Sequence, residues 1–200
     1  MTKVSTYKVD PRLLEHRLLE LSSSRSFFAL YTSNCYPNSE KRFELIFGWG
    51  ARAVYTDDEL IPEDLSCGWK FGFLGYELRT KFESVTQENE RLGNWPEAQF
   101  FAPEVAGVLH VDGTLEIWAD VWADDDRKAR AVLRELLEVP KKSFPKITSL
   151  NFEPVETREE YVDNVNALKA HIQRGDIYEV NYCTAFEAKF EVLDSISLFQ

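Results

Sequence analysis

The chain has 200 residues, 44% of them hydrophobic and 14% aromatic, which is ample for one sizeable core and short of two full domains. A formal net charge of −11 argues against nucleic acid, whose binding rests on a basic surface that neutralises phosphates. No run approaches the roughly 20 apolar residues that span a bilayer, and no charged leader precedes an apolar stretch, so a cytoplasmic protein without membrane partners is expected.

In chain order, Leu13 to Leu21 predicts a first helix. Strands near 27–34 and 42–49 follow, joined by the polar stretch Thr32 to Lys41, in which Pro37 and Asn38 supply turn chemistry. A strand near 71–76 runs into a helix or turn. Its Gly72 and Gly75 permit close backbone approach between strands or layers, and no Lys-Ser or Lys-Thr pair follows to make a phosphate-cradling loop. Strands at 104–111 and 114–121 flank Asp112-Gly113, a pair that favours a type I′ hairpin turn. The acidic run Asp124-Asp125-Asp126 precedes an amphipathic helix from Arg127 to Val139. Capping and dipole compensation explain that run better than a metal site. Pro140 to Pro145 is the best internal boundary, separating a sheet-forming part at 1–140 and a linker at 141–156 from a further region that begins at 157. Cys35, Cys67 and Cys183 lack metal-type spacing and read as reduced core or strand residues. His16, His110 and His171 have no nucleophile or zinc pattern beside them and read as incidental.

The strongest local signals lie between Thr157 and Val192. Thr157 with Glu160 three residues later forms a capping-box pattern, and Val162, Val165, Leu168 and Ile172 make one apolar stripe. Gly175 ends the helix by taking the left-handed conformation. The period then changes to two over 177–192, which predicts a strand with Tyr178, Val180, Tyr182 and Thr184 on one face and Glu179, Asn181 and Cys183 on the other. After Val192, Asp194 reads as an N-cap and Ile196, Leu198 and Phe199 begin an apolar face. A helix that short is marginal alone, so a longer natural chain is expected.

The run Ile172-Gln-Arg-Gly-Asp-Ile-Tyr-Glu-Val-Asn-Tyr182 resembles the helix-to-strand segment of the chorismate-utilising synthases, the family of the anthranilate, aminodeoxychorismate, isochorismate and salicylate synthases. Tyr178 and Asn181 follow the aminodeoxychorismate pattern. Isochorismate-type members carry a water-activating Lys where this chain has Glu179, and amine-forming members usually carry Gln there. A carboxylate accepts hydrogen bonds from ammonia, or holds ammonium by charge, more strongly than a neutral amide does. Trp69 to Glu83 resembles the family's G-x-x-G-Y-x-x-Y-D-L segment. Leu30-Tyr31-Thr32-Ser33 stands where tryptophan-regulated members read L-L-E-S, without the Glu.

The resemblance implies an α+β fold of the anthranilate-synthase type, two large antiparallel sheets with helices outside, present here as an N-terminal portion. It implies Glu179 and Asn181 as catalytic residues, and Ser33, Arg42, Gly175 and Asp176 at a substrate or effector pocket. The expected activity is amination of chorismate toward p-aminobenzoate and folate, with ammonia from a glutamine amidotransferase partner. Mg²⁺ is the expected cofactor, its ligands lying in a C-terminal half outside this sequence. The alternatives are anthranilate synthase component I and, in a different class, a non-catalytic ligand-binding or amidotransferase-docking module.

Overall fold

The computed structural model describes residues 2–6, 8–38, 40–56, 68–84, 95–119, 126–144, 150–189 and 195–199. The fold is α+β with antiparallel sheets, and the chain divides into two compact units, Met1–Lys142 and Ser143–Gln200.

In the first unit, strands β1 (Thr2–Thr6), β2 (Ala29–Thr32), β3 (Phe43–Trp49), β7 (Val105–His110) and β8 (Leu115–Ala119) form a five-stranded sheet in the order β1-β8-β7-β3-β2. A second sheet orders β4 (Ala53–Thr56), β6 (Ala98–Ala102) and β5 (Phe71–Leu74) as β4-β6-β5. Period-two alternation sorts the large sheet's side chains onto two faces. Leu45, Phe47, Val105, Leu109, Leu115 and Ile117 pack with Leu14 and Leu18 of helix α1 (Pro11–Ser22) and with Ala129, Val132 and Leu136 of helix α2 (Arg127–Leu137). On the other face, Ala29, Ile46 and Ala106 meet Phe71, Phe101 and Val54 of the small sheet. Helices, large sheet and small sheet thus stack as three layers around two apolar seams.

Small residues make the close approaches possible. A Cβ on Gly107 would lie 2.2 Å from the ring of Phe47, its cross-strand partner, and one on Gly72 would lie 2.0 Å from the Gln99 carbonyl oxygen of β6. Trp69, Phe71, Phe101 and Tyr31 supply the adjoining aromatic area, with Phe71 stacked on Tyr31, Trp69 and Phe101.

Several local expectations change on folding. Helix α1 starts earlier than the apolar spacing suggested because Asp10 caps it, accepting from the Arg12 and Leu13 amides, with Pro11 in the first turn. The β7–β8 hairpin forms, but its turn is not type I′. Gly113 alone has a left-handed φ (83°), Asp112 does not, and the Gly113 amide bonds the His110 carbonyl. This is a three-residue loop in which a type I turn is followed by a left-handed glycine. Asp126 sits at the N-cap of α2 without a capping bond and accepts instead from Arg130 Nε at 2.6 Å, one turn on; Asp124 and Asp125 lie outside the described residues. The segment after Leu74 turns into a 3₁₀ helix at Tyr76–Lys81. Cys35 and Cys183 are free thiols at the surface rather than in the core, and Cys67 lies outside the described residues.

The second unit contains helix α3 (Arg158–Arg174), a two-residue antiparallel pairing of β9 (Glu153–Pro154) with β10 (Phe186–Glu187), and helix α4 (Ser195–Phe199). The strand expected over 177–192 is present only at β10, with 190–194 outside the described residues. Alternation makes a segment fit for a sheet, but a strand also needs a partner to receive its amides and carbonyls. Among the described residues, 177–184 has none for a ladder, and Ala185 gives its carbonyl to the Val155 amide.

Candidate functional site

Helix α3 is held at both ends by its own sequence. Thr157 Oγ1 accepts from the Glu160 amide at 3.2 Å, and Glu160 Oε2 accepts from the Thr157 amide at 2.8 Å, closing the reciprocal box. The Thr157 amide, then its hydroxyl, hold the Glu160 carboxyl below the usual carboxylate range. At the other end Gly175 takes φ 80°, its amide bonds the Ile172 carbonyl, and the Asp176 amide bonds the His171 carbonyl. This is the paired 6→1 and 5→2 pattern that closes helices at a left-handed glycine. A Cβ on Gly175 would meet nothing within 4 Å, so backbone conformation alone selects glycine there. None of the helix's residues is buried.

Asp176 is exposed and engaged through one carboxylate oxygen. Its Oδ2 accepts from Arg174 Nε and Nη2 at 3.1 and 2.8 Å and lies 2.8 Å from His171 Nδ1. Arg174 Nη2 also lies 2.9 Å from that ring nitrogen. Arginine only donates and carboxylate only accepts, so Nδ1 serves one of them at a time. His171, read as incidental, is thus a partner of Asp176. The signal was a basic pair in the last helical turn followed by an acid just past the cap, where positive side chains also complement the helix dipole.

Past Asp176 the chain carries Glu179 and Asn181, both exposed and both without a side-chain hydrogen bond among the described residues. Their shared face was expected from a strand that is not formed at those positions. The next residue along, Tyr182, is tied down. Tyr182 Oη donates to Glu156 Oε2 at 2.7 Å, and Asn164 Nδ2 of α3 donates to Tyr182 Oη at 2.8 Å. Hydrogen bonds from Tyr182, Thr184 and Asn164 hold the Glu156 carboxyl below its ordinary range, and the same Glu156 bond raises the Tyr182 phenol. Glu156, Tyr182 and Asn164 were not singled out for any role from the sequence. They come together only when the chain doubles back after α3. Beside them a groove of about 410 Å³ is lined by Pro154, Thr157, Arg158, Tyr161, Thr184 and Phe186 with Glu156.

Ser33 and Arg42 belong to the first unit and do not converge on a common contact. Ser33 Oγ donates to Glu44 Oε2 at 2.7 Å, and Lys41 holds the other oxygen of the same carboxylate at 2.9 Å. Lys41 first, then Ser33, keep the Glu44 carboxyl below its usual range. Arg42 is exposed, and its side chain makes no hydrogen bond or ion pair among the described residues. No three His, Cys, Asp or Glu side chains gather to hold a metal among the described residues. No helix of the described residues is long and apolar enough to cross a membrane.

Comparison with known proteins places residues 35–200 within the sequence profile of a family described as chorismate binding enzymes. An anthranilate synthase component I-like protein of Synechocystis sp. is 28% identical over 144 residues, covering 70% of this chain and 29% of the relative. The chain therefore spans less than a third of that curated relative's length.

Proposed function

The chain belongs to the chorismate binding enzyme family, and from that premise we propose that it is a portion of component I of an aminodeoxychorismate synthase. The reaction replaces the C4 hydroxyl of chorismate with an amine, using ammonia from a glutamine amidotransferase subunit, toward p-aminobenzoate and folate. Mg²⁺, when bound, would polarise the leaving group and screen the substrate's negative charge, through ligands other than the residues described here.

The observation that carries this reading is the run Tyr178-Glu179-Val180-Asn181 set directly after the glycine-capped end of α3, with Glu179 and Asn181 exposed and without side-chain bonds among the described residues. Glu179 offers two acceptor oxygens to ammonia or ammonium, and Asn181, two residues on, offers one acceptor and two donors. Orienting a small nucleophile in this way acts through position rather than through proton transfer. A water-activating Lys is not present at 179, in keeping with an amine as nucleophile.

In the full-length protein supplied with chorismate and ammonium, the expected product is aminodeoxychorismate. Glu179→Leu is expected to depress amination turnover by about a hundredfold while the KM for chorismate changes little. Equal loss of both would assign Glu179 a structural role. Formation of anthranilate instead would favour the second reading, anthranilate synthase component I, which the likeness to the Synechocystis protein supports.

A further inference from the structure

The segment carrying Glu179 and Asn181 has little to hold it. Between Gly175 and Phe186 it makes no strand pairing among the described residues, and Tyr178 is 96% exposed. Its backbone is tied at the far end, where the Val155 amide bonds the Ala185 carbonyl at 2.9 Å and β10 pairs with β9. Among the described residues, Tyr182 carries the side-chain hydrogen bonds of 177–185, donating to the carboxylate of Glu156 and accepting from Asn164.

The bond to Glu156 fixes the direction in which the Tyr182 side chain leaves the segment. The odd-numbered Glu179, Asn181 and Cys183 make no side-chain bond among the described residues. The Tyr182 hydroxyl is fixed twice, donating its proton to Glu156 and accepting from Asn164 on the second turn of α3. The bond to an ionised acceptor is the stronger kind. Glu156 precedes the N-cap Thr157, so the anchor stands on the capped end of a regular helix, the rigid footing that a precisely held site requires. The Tyr161 ring, 5.6 Å from that of Tyr182, closes the cluster on one side.

We propose that Glu156, Asn164 and Tyr182 form a positioning clamp that holds the 177–185 segment on helix α3 and so presents Glu179 and Asn181 to the reacting amine. The clamp's catalytic consequence rests on the proposed amination; its mechanical action does not. These three are positioning residues, since none of them needs to touch chorismate or ammonia.

The test uses the full-length protein with Tyr182→Phe, which deletes one hydroxyl and keeps the ring, and with Asn164→Leu, Glu156→Ala and Glu156→Gln. Amide hydrogen exchange of residues 177–184 is expected to quicken by about tenfold in Tyr182→Phe, Asn164→Leu and Glu156→Ala, while the β3 and β7 amides stay as they were. Glu156→Gln keeps an acceptor oxygen and is expected to fall between wild type and Glu156→Ala. Amination turnover is expected to fall by about tenfold in Tyr182→Phe with the chorismate KM held within about twofold. Unchanged exchange in Tyr182→Phe would overturn the clamp. Faster exchange with unchanged turnover would overturn its positioning role. Should the wild-type protein make a different product, the exchange result would stand and the proposed amination alone would fall.

Discussion

Arg17 and Glu135 meet across 118 residues of sequence, where Arg17 Nε donates to the Glu135 carbonyl oxygen at 3.0 Å. The guanidinium is buried, and its other nitrogens bond Glu20 at 2.6 Å and Glu138 at 3.3 Å. It therefore serves a carbonyl in the last turn of α2, an acid on its own helix and the residue that ends α2. Removing one partner of such a set leaves buried polar groups unpaired. Arg17→Ala is expected to lower the free energy of unfolding by about 3 kcal/mol, followed by tryptophan fluorescence in urea. Arg17→Met, which keeps the packing of the stem, is expected to cost less. A loss below about 0.5 kcal/mol in Arg17→Ala would show that the network is solvated rather than structural.

The ring of Phe47 occupies the space that a side chain at position 107 would need, and Phe47 is itself fully buried between sheet and helices. Gly107→Ala is expected to destabilise by about 3 kcal/mol through overpacking. In the double variant with Phe47→Leu, the alanine is expected to cost distinctly less, because the shorter side chain vacates the contact. Additive losses in the two thermal melts would sink this account.

The helix α3 cap carries a pH signature. Glu160 and Glu156 both have folded carboxyl values below the ordinary one, Glu160 through the Thr157 amide first and Glu156 through Tyr182 first. A group lowered on folding contributes stability that is fully present above its unfolded pKa and is lost as pH falls through the folded value. Acidification from neutral pH is therefore expected to release the N-terminal turn of α3, read from the exchange of its first amides. Glu160→Gln should flatten that dependence. Thr157→Ala removes the N-cap acceptor at every pH and is expected to cost about 1 kcal/mol of local stability.

At Gly175 the cost of a side chain is conformational alone. Gly175→Ala is expected to lose about 1 kcal/mol of helix stability, and Gly175→Asn less, since asparagine tolerates the left-handed region better. Circular dichroism melts of both variants check this. A loss of several kcal/mol in Gly175→Ala would reveal a steric contact at a position where none lies within 4 Å.

Much of this fold was legible where the hydrogen bonds are local. Thr157 with Glu160, and Gly175, marked both ends of α3, because caps are closed by residues within five positions of one another. Asp112-Gly113 marked the β7–β8 hairpin for the same reason, although the turn type depended on which residue carried the positive φ. The edge strand β1 and the small-sheet strands β4 and β6 were not foreseen, since each is short and exists through a distant partner, β1 lying on β8 more than 100 residues away.

The same division runs through the candidate site. Glu179 and Asn181 stood out from the order of residues alone, since their position after a capped helix is a property of neighbouring positions. Glu156, Asn164 and Tyr182 did not, because no spacing marks a carboxylate, an amide and a phenol that meet only when the chain turns back on α3. Alternation over 177–192 prepared a strand, and among the described residues the fold paired Phe186 and Glu187 of it. Periodicity tells a segment which face each side chain takes. Whether that segment becomes a strand is decided by a second stretch of backbone within hydrogen-bonding reach.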